Sequence, residues 1–237
     1  IAILIIIDTE TFCFYIVNIY CLNGRVIMFY LDLVALYKKE SSERFYQIDN
    51  ELICKFIEII FEAYEKEKTI FVAGNGGTAG YLQNFVVDFN MHPFVSDDKS
   101  KPSNIKRNKF KCVNLCADKA TITGITNDLG YENVYLEQLK YQLKEGDVFI
   151  GMSGSGNSKN IVNAMQYCVS NNAKTVLLTR NQENKCNEYA DLCISLNGKS
   201  YFPGQTGGNN NNFHFEDIIS KLTHLACGVI KQRIQNA

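Results

Sequence analysis

Only three of the 237 residues are proline, and 46% are hydrophobic, which excludes a disordered chain and leaves enough apolar material for a sizeable core. The length suits one large domain, or a domain with appendages, and not two full cores. An excess of charge is also missing. The 24 Lys and Arg face 25 Asp and Glu, for a net charge of −1, so no overall basic field exists to hold a nucleic acid. Nine cysteines are present, but none forms a CxxC pair; the closest pairs are Cys112 with Cys116 and Cys186 with Cys193. With no basic n-region or small-residue cleavage site at the start, they read as reduced, cytosolic core thiols. The longest uncharged, mainly apolar run, residues 11–24, falls short of the ~20 residues of a membrane span.

Residues 1–27 show no helical or alternating pattern, and the chain does not begin with Met. Met28 is therefore expected to open the folded unit, 28–237, with 1–27 a non-native or disordered extension. From Met28 to about Lys39, Phe29, Leu31, Leu33, Val34 and Leu36 recur at near-helical spacing. A second amphipathic helix is predicted from about Ile48 to Lys66. Its Phe56, Ile57, Ile59, Ile60, Phe61 and Tyr64 form a face broad enough for packing between subunits or domains.

After Lys68 the pattern becomes short apolar runs alternating with amphipathic segments. TIFVAG, FKCVNLC, DVFIGMS, KTVLLT and DLCISL predict five strands buried on both faces, hence an α/β domain with a parallel sheet. Residues 92–109 and 197–212 read as loops, and a final helix is expected from about Phe213 to Arg233.

Two strand ends carry chemistry. The first strand runs into GNGGT, Gly74 to Thr78, and then into a helix. Small residues there let backbone amides approach an anion at the helix N-terminus, with Asn75 and Thr78 as additional donors. The same turn is also compatible with plain turn chemistry. It lacks the spacing of a dinucleotide fingerprint and the Lys of a P-loop, which argues against NAD and ATP. The third strand ends in SGSGNS, Ser153 to Ser158, again before a helix. Three hydroxyls interleaved with glycines can surround a phosphate without Lys or Arg, whereas a simple N-cap would need only one.

With these motifs in place, the chain resembles the sugar isomerase (SIS) domain family, and within it the phosphoheptose isomerases. The resemblance runs from about Met28 through GNGGT, NLCADKATITGITNDLGYENVYLEQL, GDVFIGMSGSGNSKNIVNA and the terminal helix. It implies a five-stranded parallel, flavodoxin-like domain with N-terminal helices and a long C-terminal helix. It also implies a homotetramer with active sites at subunit interfaces. The family's phosphate-binding positions carry over to Ser153, Ser155 and Ser158, with Asn75, Gly76, Gly77 and Thr78 from the first turn. Asp118, Asn127 and Asp128 match positions lining the sugar site; on their own they read equally as a helix N-cap and a turn.

In the family, the helix after the first turn carries His and Glu four apart, and the terminal helix carries Gln and His eight apart. Those positions fall on Asn84 and Asp88, and on Glu216 and His224. In many members the four hold one divalent metal, commonly zinc. Here Asn84 replaces an imidazole with a weak carbonyl donor, leaving Asp88, Glu216 and His224 as the set.

Ketose–aldose isomerisation needs a base beside the carbonyl carbon and an acid for the enediolate oxygens. Asp88 and His224 suit these roles; their structural alternatives are a charge near a helix end and a core histidine among Leu222, Leu225 and Ala226. His214 falls where the family often has Arg and otherwise reads as a loop histidine, while His92 carries no independent signal. The basic stretch 99–111 reads as a solvated loop or a cover that attracts anionic sugars. The expected function is a cytosolic isomerase converting sedoheptulose 7-phosphate to D-glycero-D-manno-heptose 7-phosphate, with no nucleic-acid or membrane partner. The alternative is a noncatalytic SIS protein that binds a sugar phosphate or another protein.

Overall fold

The computed structural model describes residues 4–6, 15–17, 25–101 and 108–236. The expectation for residues 1–27 lies mostly outside these; within that segment Leu4–Ile6 and Tyr15–Val17 pair antiparallel. The middle of the basic stretch, 102–107, also lies outside them. Two helices follow the ribbon, α1 (Arg25–Tyr46) and α2 (Asn50–Glu65). The α/β alternation comes next: β1 (Thr69–Gly74), α3 (Gly77–Met91), β2 (Lys111–Asn114), α4 (Lys119–Leu129), α5 (Val134–Gln142), β3 (Val148–Met152), α6 (Lys159–Ser170), β4 (Lys174–Thr179), β5 (Leu192–Ser195) and α7 (Asn212–Gln235).

All five strands pair parallel in the order β2-β1-β3-β4-β5, the flavodoxin-like order the family resemblance implies. Alternate residues face opposite layers, and both layers are dry. Ile70, Val72, Ile150, Val176 and Leu178 pack with residues of α2, α3 and α7; Phe71, Ala73, Phe149 and Leu177 pack with residues of α5 and α6. Each large side chain buried in this way contributes roughly 1.5–3 kcal/mol, which is why the strands read as continuous apolar runs.

Two helix expectations are corrected. The apolar face of α2 is spent within the chain: Phe56, Ile57, Ile60, Phe61 and Tyr64 are buried in the core beside the sheet. The uncovered apolar surface lies instead on α1, where Met28, Phe29, Tyr30, Leu31 and Val34 are exposed. That helix also runs beyond Lys39 to Tyr46, because its C-terminal half buries polar side chains against another segment.

Those polar side chains fasten the 197–211 loop and the start of α7. The buried Glu40 carboxylate accepts from the Ser200 hydroxyl at 2.5 Å, the Tyr201 amide at 2.7 Å and His214 Nε2 at 2.9 Å. Arg44 donates to the carbonyls of Asn197 and Lys199. Burial alone raises the Glu40 carboxyl, but these three hydrogen bonds outweigh it and hold the group below its ordinary value. His214 is thus a fully buried helix residue rather than a loop histidine, with Tyr37 packed on its ring at 4.5 Å.

Glu40→Ala is expected to destabilise the fold by about 3–5 kcal/mol in urea unfolding at neutral pH, because it leaves Ser200, the Tyr201 amide and the buried His214 without their acceptor. A lowered folded pKa places this contribution above the ordinary value of 4.5 and removes it as pH falls through the folded value. The gap between wild type and variant should therefore narrow in acid; a gap constant from pH 7 to 3 would contradict the assignment.

Candidate active site

The strand order reverses between β1 and β3, and chains leaving neighbouring strands in opposite directions open a crevice at their C-terminal ends. Register sharpens this. Gly74 pairs with Met152, so GNGGT and SGSGNS begin side by side. Each loop feeds a helix, α3 or α6, whose first amides have no acceptor within the helix.

In the first loop, Gly76 adopts φ +59° and ψ −126°, a conformation that only glycine takes without strain, and the space where a side chain would stand is open. Thr78 closes the turn: its hydroxyl donates to the Asn75 carbonyl at 2.6 Å and accepts from the Asn75 amide at 2.9 Å. The Asn75 side chain crosses to the other loop. Its amide and that of Asn160 exchange hydrogen bonds of 3.1 and 2.9 Å, tying the two loops together. Asn75 Oδ1 also accepts from the Tyr131 hydroxyl at 2.7 Å and from Tyr135 at 3.2 Å. Asn75 and Thr78 therefore shape the crevice.

The second loop gathers its hydroxyls at the start of α6, where Ser153 Oγ accepts from the Gly156 amide at 3.1 Å. The Ser153 and Ser158 Oγ atoms stand 3.1 Å apart, and Ser158, although it is the N-cap residue of α6, makes no side-chain cap bond. By contrast Asp49 and Asp118 cap α2 and α4 with their carboxylates. Ser155 is exposed, its Oγ accepting from the Asn157 amide at 3.2 Å. Gly156, at φ +64°, turns the chain against Asn184.

Glu216 and Arg180 bring opposite charges to the crevice. The Glu216 carboxylate lies against Gly77 at the start of α3, steadied by the Asn212 amide at 3.0 Å. Arg180, just after β4, places its guanidinium against Gly154, between Ser153 and Ser155. Burial lowers its pKa, and the field of Glu216 opposes that shift. The motifs do not single out Asn160, Tyr131, Tyr135 or Arg180. Only the Asn directly after SGNSK offered a local signal for any of them.

Asp88 and His224 meet, as expected, where α3 and α7 pack together: His224 Nε2 lies 3.2 Å from Asp88 Oδ2. Asp88 is buried, His224 is exposed, and Oδ2 has no aligned hydrogen-bond partner. His92 stands 3.9 Å from the other carboxylate oxygen. This pair lies eleven residues beyond Gly77, ~17 Å along the helix. Glu216 thus sits at one end of α3 and the pair toward the other. Among the described residues no three His, Cys, Asp or Glu side chains converge as metal ligands, and Asn84 is exposed one turn from Asp88. Asp88 and His224 touch, His92 stands farther off, and Glu216 lies at the other end of α3, so the set Asp88, Glu216 and His224 does not come together within one chain as the three or four protein ligands of a zinc site.

Asp118 is an N-cap: its carboxylate accepts from the Ala120 amide at 3.0 Å and from the Thr121 hydroxyl, and the Thr121 bond leads in holding its pKa below the ordinary range. Asn127 and Asp128 lie exposed at the end of α4, their side chains bonded to each other at 2.7 Å. None of the three has a hydrogen bond to either loop.

The SIS domain family matches residues 37–180. The chain is 35% identical over 155 residues to a phosphoheptose isomerase of Aneurinibacillus thermoaerophilus, covering 64% of this chain and 73% of that protein. It is 34% identical over 137 residues to phosphoheptose isomerase 2 of Campylobacter jejuni, covering 58% of this chain and 63% of that protein, somewhat under two thirds of its length. The solved structure of a phosphoheptose isomerase from Francisella tularensis superposes with a TM-score of 0.65 at 18% identity, over 89% of this chain and all of that one, and so shares the fold.

Hydrogen bonds to a charged group are worth ~1.5–3 kcal/mol each. Ser153→Ala with Ser158→Ala is expected to weaken binding of a sugar phosphate by a hundredfold or more, read by calorimetry, with folding intact. Unchanged affinity would remove the phosphate assignment from this loop.

Proposed function

We propose a substrate and a route for this chain, which belongs to the SIS domain family and is a sugar-phosphate isomerase: it converts sedoheptulose 7-phosphate to the aldose D-glycero-D-manno-heptose 7-phosphate through an enediolate. The observation that carries this reading is the contact between the buried Asp88 carboxylate and His224 at 3.2 Å, in a chain that also clusters serine hydroxyls at a helix N-terminus.

In this reading the phosphate rests on Ser153, Ser155, Ser158 and the first amides of α6. Asp88 takes a proton from C1; the electron pair left behind forms the C1–C2 double bond, and the C2 oxygen gains a proton to give the enediol. Return of a proton to C2 and loss of the O1 proton produce the aldehyde, so atoms and electrons balance without an oxidant. A carboxylate oxygen that is buried and lacks an aligned hydrogen bond is poised to accept a proton, and a solvent-facing imidazole next to it suits the oxygen-to-oxygen transfer. Phosphate and reacting carbons sit at opposite ends of the substrate, which agrees with a cradle and an acid–base pair at different levels of α3.

The start of α3, beside the cradle, and Asp88 are separated by ~17 Å of helix within one chain. The pair of one copy is therefore proposed to serve the cradle of another in a homo-oligomer, a tetramer by family resemblance. The exposed apolar start of α1, with Met28, Leu31 and Val34, supports such an assembly. The noncatalytic alternative draws on Asn84; the Asp88–His224 contact weighs against it.

Asp88→Asn and His224→Gln should each keep the fold and the phosphate affinity while lowering turnover about 10²–10⁴-fold, and wild type should exchange the transferred hydrogen with solvent deuterium. Protein that binds the sugar phosphate but neither isomerises it nor exchanges that hydrogen would leave a binding role. Mixing the Ser153→Ala, Ser158→Ala double variant with Asp88→Asn, after subunit exchange, should restore activity that neither has alone. No recovery would place the whole site in one copy.

A further inference from the structure

The crevice poses an electrostatic problem. Glu216 already occupies the start of α3 with a carboxylate, and a phosphate on the neighbouring serine loop brings like charge into the same space. Arg180 is the cation placed to resolve it. Gly154 and Gly207 leave bare backbone on the two sides of its guanidinium; at either position even a Cβ would collide with it. One terminal nitrogen donates to the Thr206 carbonyl at 2.8 Å, while Nε is buried with no acceptor. Among the described residues Arg180 forms no ion pair, and the Glu216 carboxylate acts on it through space. A buried guanidinium nitrogen without a partner costs free energy that a ligand acceptor would offset, and the planar fork matches phosphate oxygens.

We propose that Arg180 is a phosphate-binding residue of this chain, the counter-charge that lets the serine loop hold a phosphate dianion beside Glu216. The pairing is reciprocal: the guanidinium makes a carboxylate tolerable at position 216, and the carboxylate makes the guanidinium necessary. The inference rests on the assignment of the serine loop to phosphate.

Calorimetry with inorganic phosphate and with sedoheptulose 7-phosphate tests it on the full chain, using Arg180→Gln, Arg180→Lys, Glu216→Gln and the double variant Arg180→Gln, Glu216→Gln. Arg180→Gln should weaken inorganic phosphate tenfold or more, Arg180→Lys should weaken it less, and adding Glu216→Gln should recover part of the loss. Glu216→Gln alone, which leaves Arg180 in place, should tighten phosphate. In turnover, Arg180→Gln should raise KM at least tenfold and change kcat by less than about threefold. A folded Arg180→Gln with wild-type phosphate affinity overturns the proposal. If that variant does not fold, a Glu216→Gln that fails to tighten phosphate overturns it instead. Wild type that binds no phosphate at all overturns the serine assignment first and this inference with it, whereas loss confined to Arg180→Gln bears on Arg180 alone.

Discussion

Two helix N-termini face one crevice because the strand order reverses between β1 and β3, and the rest of the site depends on that constraint. The pairing of Gly74 with Met152 sets both loops at one level. The Asn75–Asn160 amide exchange then locks them together, and Tyr131 and Tyr135 hold Asn75 from the α4–α5 side. Given this frame, small residues and hydroxyls suffice to make an anion cradle, because oriented backbone dipoles supply the field.

The cradle is tied to distant parts of the chain through the 197–211 loop. Glu40 and Arg44 of α1 grip the first part of that loop, while its later part supplies the Thr206 carbonyl to Arg180 and leads into α7, which carries Glu216 one turn in. A helix that looks peripheral in sequence thus positions both charges of the crevice. Along α3 the same rigidity acts as a ruler, separating the phosphate end from the Asp88–His224 pair.

The strands were legible almost to the residue, since burial on both faces writes itself as uninterrupted apolar runs such as TIFVAG and KTVLLT. Of the two loops, SGSGNS was legible because three hydroxyls exceed what an N-cap needs, whereas GNGGT alone read equally as a plain turn; the Asp88–His224 pair came from family resemblance and was then met in the packing of α3 on α7. What stayed hidden is non-local. Asn160 lies 85 residues from Asn75, and Glu40 lies 174 from His214, so no spacing rule connects them. The end of α1 was missed because its buried face there is Glu40, Ser41 and Arg44, which a hydrophobic pattern reads as solvent. The apolar face of α2 was seen, but periodicity does not say what covers a face. Arg180 follows a strand with no motif around it, and its meaning depends on a carboxylate from another element.

The central claim is that this crevice isomerises a seven-carbon ketose phosphate. Purified chain incubated with sedoheptulose 7-phosphate in D₂O and followed by ¹H NMR tests it most directly. The account predicts an aldehydic product, with deuterium entering at the carbon next to the carbonyl. Substrate that binds at the serine loop yet remains unconverted and fully protonated would contradict it.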